Sequence, residues 1–221
     1  MLIDENTVSA ENQMINSSEL SFLGNPKAAK RILVVGNSIT RHGPNAEIGW
    51  HGDWGMAASV PEKDYVHRLY AKLTEAGEDV YMMIRQCSYW ERNFRKEDIL
   101  DNYQDEKAFG ADIVVFRLGE NVDVAQDKPY FKEGLEKFVA HLCPETGRVV
   151  YTTCFWRNPI VDEAIEAVAK QRGETCIRGD FSVDKETMAL GLFEHHGVAV
   201  HPGDKGMEKF AQVIFEMIQA R

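Results

Sequence analysis

The sequence predicts an α/β fold: a three-layer α/β/α sandwich around a central parallel sheet. Two features of the chain point to it. From Arg31 onward, short β-type runs alternate with amphipathic helical patterns, and strands that alternate with helices pair in parallel through right-handed crossovers. Residues 111–116 (ADIVVF) carry an unbroken apolar run, as a strand covered by helices on both faces should.

The elements follow in order. Residues 32–35 form the first strand. Ser59 and Glu62 stand at capping-box spacing ahead of a helix that carries Tyr65, Val66, Leu69 and Leu73 on one face and stops at Gly77. Strands are expected at 80–84, 111–116 and 148–152, and a short one at 175–177. Asp127 can cap a helix with Pro129 in its first turn and Phe131, Leu135, Phe138, Val139 and Leu142 along its stripe. Asn158-Pro159 opens another helix, with Val161, Ile165 and Val168 facing inward, that ends near Gly173. The last helix starts at about Asp204 and turns Met207, Phe210, Ala211, Ile214 and Ile218 toward the core. Residues 1–29 show no sustained period and read as an N-terminal extension to a domain spanning 30–221.

The chain has 221 residues and a net charge of -10. That acidity argues against non-specific nucleic-acid binding, which needs a basic footprint, and against docking on anionic lipid. No apolar stretch reaches the ~18 residues of a membrane span. The first residues, MLIDENTVSAENQ, lack the basic start and apolar centre of a signal peptide. Cys87, Cys143, Cys154 and Cys176 show no CxxC spacing and read as reduced thiols of a cytoplasmic protein. Of these, Cys87 and Cys154 fall at expected strand ends. A homo-oligomer is left open.

In open α/β sheets the ligand crevice lies beyond the carboxyl ends of the strands. Three polar clusters fall there: Gly36-Asn37-Ser38, Gly119-Glu120-Asn121, and His201-Pro202-Gly203-Asp204. The first is neither a dinucleotide turn nor a P-loop, because the required glycines are missing. A serine hydroxyl becomes a nucleophile when a neighbouring base takes its proton, and His201 can be that base. The N–H of Ser38 and the side-chain amide of Asn121 can then meet a developing oxyanion. Together the three clusters make one coherent acyl-transfer site.

The order Gly36-Asn37-Ser38-Ile39-Thr40, then Gly119-Glu120-Asn121, then His201-Pro202 before the C-terminal helix resembles the SGNH/GDSL hydrolase superfamily from about Arg31 to the C-terminus. The resemblance implies a flavodoxin-like α/β/α fold and hydrolysis of esters or thioesters, often acetyl groups on carbohydrates. It implies Ser38 as nucleophile, His201 as general base and Asn121 with two backbone N–H groups as oxyanion hole, with no metal or organic cofactor. The chain departs from the family at three places. Val198 stands where an aspartate usually orients the histidine, leaving a backbone carbonyl, Glu194 or a neighbouring histidine to hold the imidazole. The stretch 85–91 (RQCSYWE) has no glycine for the second oxyanion N–H, and Ser88 is favoured over Tyr89 in its place. Val122 follows Asn121, and Asp123 comes one position late.

The loop 48–59 (IGWHGDWGMAAS) is rich in tryptophan and glycine. Trp50, Asp53 and Trp54 could form a platform for a sugar ring, or the rings could pack a long lid. Trp90 and Trp156 should also lie near the crevice. Arg85, Arg117, Glu120 and Arg157 read as an ion-pair set supporting the site, with Glu120 also a candidate substrate contact. His195, His196, His201 and Asp204 cluster without recognisable metal-ligand spacing. The expected activity is a serine esterase deacetylating a small O-acylated compound such as an acetylated sugar. The rival is a carbohydrate- or partner-binding domain on the same fold.

Overall fold

The structure, a computed structural model, describes residues 20–144 and 146–220. Six strands form one sheet in the order β1-β3-β2-β4-β5-β6. They are β1 (Leu20–Gly24), β2 (Lys30–Gly36), β3 (Val80–Gln86), β4 (Ile113–Arg117), β5 (Arg148–Thr152) and β6 (Cys176–Ile177). The helices are α1 (Tyr65–Glu75), α2 (Ser88–Asn93), α3 (Gln104–Phe109), α4 (Val124–Leu142), α5 (Pro159–Gln171), α6 (His196–Ala199) and α7 (Asp204–Gln219). β2 through β6 pair in parallel.

β1 corrects the expectation of an all-parallel sheet, for it pairs antiparallel with β3. It falls inside the stretch 1–29 that shows no readable period, and residues 1–19 lie outside the described residues. Five residues with Phe22 turned to solvent leave little pattern to read. The strand is held by its ladder to β3, by Leu20 and Leu23 packing on opposite cores, and by Phe22 stacked on Tyr81.

The alternation of side chains along the strands divides the core in two. Leu33, Val35, Val114, Phe116 and Tyr151 face α2, α4 and α5, where Trp90, Phe131, Phe138 and Ile165 meet them. Ile32, Val34, Val115 and Val150 face α1 and α7, with Tyr65, Leu69, Phe210 and Ile214. Both faces of the parallel strands are covered, which makes the three-layer α/β/α sandwich.

Two helix starts differ from the sequence reading. The side chain of Asp64, not Ser59, accepts the His67 N–H and caps α1. Pro61–Lys63 forms a separate 3₁₀ turn, and both the N–H and the hydroxyl of Ser59 donate to Asp204 instead. Asp123, not Asp127, caps α4, accepting from Ala125 and Gln126. The helix therefore begins a turn early and carries Pro129 inside it.

β2 lies between β3 and β4, with Gly36 opposite Gln86 on one side and Arg117 on the other. The chain passes from β2 to β3 on one side and then returns to β4 on the other, so the crevice of an open α/β sheet is expected at the carboxyl end of β2.

Candidate active site

The turn after β2 is built to expose one residue. The carbonyl of Asn37 accepts the N–H groups of Thr40 (2.9 Å) and Arg41 (3.1 Å), closing a helical turn immediately after the strand. Gly36 permits it: a Cβ there would stand 1.9 Å from Thr40 Oγ1 and 2.4 Å from the Arg117 carbonyl. Asn37 is fully buried, and its Oδ1 accepts from the Ile39 N–H (3.2 Å) and from Arg117 Nη1 (3.1 Å). Between residues 32 and 40, Ser38 alone is not buried.

Ser38 Oγ lies 2.8 Å from His201 Nε2, although the residues are 163 positions apart. On the other side of the ring, His201 Nδ1 lies 2.6 Å from the Gly197 carbonyl oxygen. A carbonyl can only accept, so Nδ1 carries the proton and Nε2 is left to accept from the serine hydroxyl. Gly197 belongs to the last turn of α6, whose carbonyls a helix leaves to be satisfied from outside. Glu194 is exposed and has no hydrogen bond to His201. Val198 is 1% exposed and packs with Ile48, Trp50, Met56, Ala57 and Ala189. The valine anchors the 41–60 loop, while its neighbour's carbonyl holds the imidazole.

Burial pushes the His201 pKa down to about 3, and the Gly197 carbonyl opposes the shift only in part. His42, Arg117 and His195 push it the same way as burial. At neutral pH the ring is therefore the uncharged acceptor that the geometry requires. Trp156 stands edge-on to it, centroids 5.0 Å apart.

Asn121 is joined to the serine turn through Glu91. Gly119 reaches it with φ 129°, a conformation that favours glycine. Asn121 Nδ2 donates to Glu91 Oε2 (2.6 Å), and its Oδ1 accepts from Arg92 Nη2 (3.3 Å). Glu91 is fully buried and also accepts from the Gly119 N–H (2.5 Å) and Asn37 Nδ2 (3.1 Å). One carboxylate thus ties the serine turn to the asparagine turn. Burial, reinforced by the charge of Glu120, raises its pKa against the pull of those three donors.

Glu91 and Arg92 were not singled out as site residues from the sequence. They lie on α2, a six-residue helix too short to show a period. The available signal was an acid directly following Trp90, at the carboxyl end of a strand.

Several expected site residues are placed differently. The Ser88 N–H is held by Gln86 Oε1 at 3.1 Å, and Ser88 is buried. That occupies the donor proposed to replace the missing glycine. Glu120 is an internal brace rather than an open contact: it pairs with Arg117 and accepts from Asn37 Nδ2 (2.5 Å) and the Phe155 N–H (2.8 Å). Trp50 is 2% exposed, donates to the His42 carbonyl (2.8 Å) and packs edge-on against Trp54. Its face is closed, so it serves as lid packing. Trp54 is partly exposed and donates to the Ala58 carbonyl. Asp53 is exposed and forms a two-pronged ion pair with Arg41 (2.9 and 2.8 Å). Trp90 is buried, stacked on Phe138. Cys87 and Cys154 are fully buried, and burial raises both thiols well above their ordinary range.

Among the described residues, no group of three or more His, Cys, Asp or Glu could hold a metal ion. None of the described helices is long and apolar enough to cross a membrane.

The fold is shared with solved α/β hydrolase structures. The chain superposes on LAE5, an alpha/beta hydrolase enzyme from the metagenome of Lake Arreo, Spain, with a TM-score of 0.59 and 17% identity over 86% of this chain and 95% of that one. It is similar to Axe2, an acetylxylan esterase from Geobacillus stearothermophilus, with a TM-score of 0.56 and 16% identity over 88% and 96% of the two chains. TesA gives a TM-score of 0.53 and 17% identity over 86% and 98%. No family model matches the sequence, and no curated protein does.

Proposed function

We propose that the chain is a serine esterase of SGNH/GDSL type that removes an acyl group, such as acetyl, from a small oxygen ester, an acetylated sugar being the favoured substrate. The observation that carries this reading is the Ser38 Oγ to His201 Nε2 approach of 2.8 Å, with Nδ1 on the Gly197 carbonyl. Overall similarity to Axe2, described as an acetylxylan esterase, supports the substrate class.

In this reading Ser38 Oγ attacks the acyl carbon as Nε2 takes its proton. The carbonyl oxygen becomes an oxyanion, met by the Ser38 N–H and the Asn121 amide, and no third donor from Ser88 is needed. His201 returns the proton to the leaving alcohol, then activates a water that releases the acid. No metal or organic cofactor takes part. The imidazolium that forms on each step has a carbonyl dipole beside Nδ1 rather than a carboxylate. In serine proteases, changing the triad Asp to Asn lowers turnover about 10⁴-fold, chiefly by imposing the wrong tautomer. The Gly197 carbonyl keeps the right tautomer, so only the part of the effect due to charge is lost.

The four cysteines are all free, in keeping with a reducing, cytoplasmic setting. A chromogenic acetate ester tests the activity. Wild type should hydrolyse it, and Ser38→Ala should lose turnover by about three orders of magnitude or more. Equal turnover by the two proteins would sink the assignment of Ser38. Saccharide binding without any turnover would favour the non-hydrolytic rival, which the absence of a carboxylate at position 198 motivates.

A further inference from the structure

Between the end of α2 and the start of α4 lies a cleft of about 340 Å³ lined by Arg92, Asn93, Arg95, Lys96, Gln126 and Asp127. In a chain of net charge -10, this cleft presents three cations against one carboxylate. Arg95 pairs with Asp127 (3.1 Å) and lies 4.1 Å over the Tyr130 ring. Lys96 donates to the Tyr89 hydroxyl at 3.3 Å.

Arg92 differs from both. It is half-buried and forms no ion pair among the described residues. Its Nε is buried without a hydrogen-bond partner. Burial pulls its pKa below the ordinary value, and the nearby charge of Glu91 offsets this only in part. Glu91 itself is engaged by three N–H donors, from Gly119, Asn37 and Asn121. With its nearby counter-charge, Glu91, taken up by those three donors, a partly desolvated guanidinium gains from a second anion, and a bidentate one suits its fork of donors. The other end of Arg92 touches Asn121, the oxyanion residue of the proposed site.

We propose that this cleft is a subsite for an anionic group carried by the ester substrate, with Arg92 as its principal counter-ion and Lys96 in support. The inference rests on the esterase reading and narrows its substrate class to acyl esters of acidic alcohols, an acetylated hexuronate rather than a neutral acetylated hexose.

The test compares kcat/KM for O-acetylated glucuronate and O-acetylated glucose at low ionic strength. The acidic ester should be preferred by about tenfold or more, the order of one hydrogen bond to a charged group, and added salt should erode that preference. Arg92→Gln should cut the ratio by about tenfold and Lys96→Gln by about threefold, while Arg92→Lys retains part of it. Taking the ratio cancels any loss of turnover common to both esters. A ratio near one, or one indifferent to Arg92→Gln, overturns the proposal. If neither ester is hydrolysed, the esterase reading has failed instead, and calorimetry of the Ser38→Ala protein with glucuronate decides the cleft. Saturable binding weakened about tenfold by adding Arg92→Gln supports the subsite, and no binding, or binding equal to that of glucose, overturns it.

Discussion

Replacing Val198 by aspartate would put the family's usual acid at its usual place in the sequence, and the structure says that it would fail. Val198 is 1% exposed among Ile48, Trp50, Met56, Ala57 and Ala189, so a carboxyl there enters an apolar cluster rather than a path to His201. Losing the valine burial costs about 1.5–3 kcal/mol, and leaving a polar group there without a partner costs about 1–3 kcal/mol more. The sum, about 2.5–6 kcal/mol, corresponds to a fall in Tm on the order of 10 °C for a chain of this size. The same cluster holds the loop that follows Ser38, so turnover of a chromogenic acetate ester should fall too. Thermal unfolding and the ester assay, run on Val198→Asp and on the near-isosteric control Val198→Thr, check both halves. A Val198→Asp protein as stable as wild type and tenfold or more faster would show that this side chain reaches the imidazole, refuting the role given to the Gly197 carbonyl.

Other outcomes follow from the same geometry. Glu91→Gln places a donor among the three N–H groups that now converge on one carboxylate, so kcat should fall by about 10–10² with little change in KM. In an Asn121→Ala background the same change should cost much less, and an equal cost in both backgrounds would mean that Glu91 is merely structural. The depressed pKa of His201, about 3, means that the ring stays unprotonated well below the ordinary histidine range. The kcat/KM profile should therefore show no acid limb near pH 6.5 from this group, and a limb there that disappears in His201→Ala would contradict the assignment. The unfolded chain binds the His201 proton more readily than the folded one. This contribution to stability is thus complete above about pH 6.5 and drains away as pH falls toward 3, which acid titration of Tm reads directly. Gly36→Ala drives a methyl into Thr40 and the Arg117 backbone carbonyl and should abolish activity with a large fall in Tm, whereas activity at the wild-type level would mean that the turn is looser than described.

Two of the three polar clusters were legible because they follow the apolar strands β2 and β4, and the third because it opens α7; His201 itself follows the short helix α6 rather than a strand. Ser38 and His201 could be paired on that basis across 163 residues, while Asn121 meets Glu91 and Arg92. What could not be read depends on contacts between distant side chains. The capping-box spacing at Ser59 was real, but Asp204 competes for that serine from α7. Asp127 reads as the cap of its helix from the sequence, but the Ala125 and Gln126 N–H groups bind Asp123, four residues earlier. Ser88 was a reasonable oxyanion donor until Gln86, two residues upstream, folded its amide onto it. Trp50 was equally compatible with a platform or with packing, and the decision came from Phe193 and Val198, about 150 residues downstream. The substitute for the missing acid is a backbone carbonyl, which carries no residue signature at all.

Mass spectrometry of the protein after treatment with a fluorophosphonate tests the central claim most directly, because the reagent labels a serine only where a base activates it. A single adduct on Ser38, absent in Ser38→Ala and formed at least a hundredfold more slowly in His201→Ala, is the result expected of the Ser38–His201 pair. No adduct, an adduct on another serine, or labelling of Ser38 indifferent to His201 would contradict it.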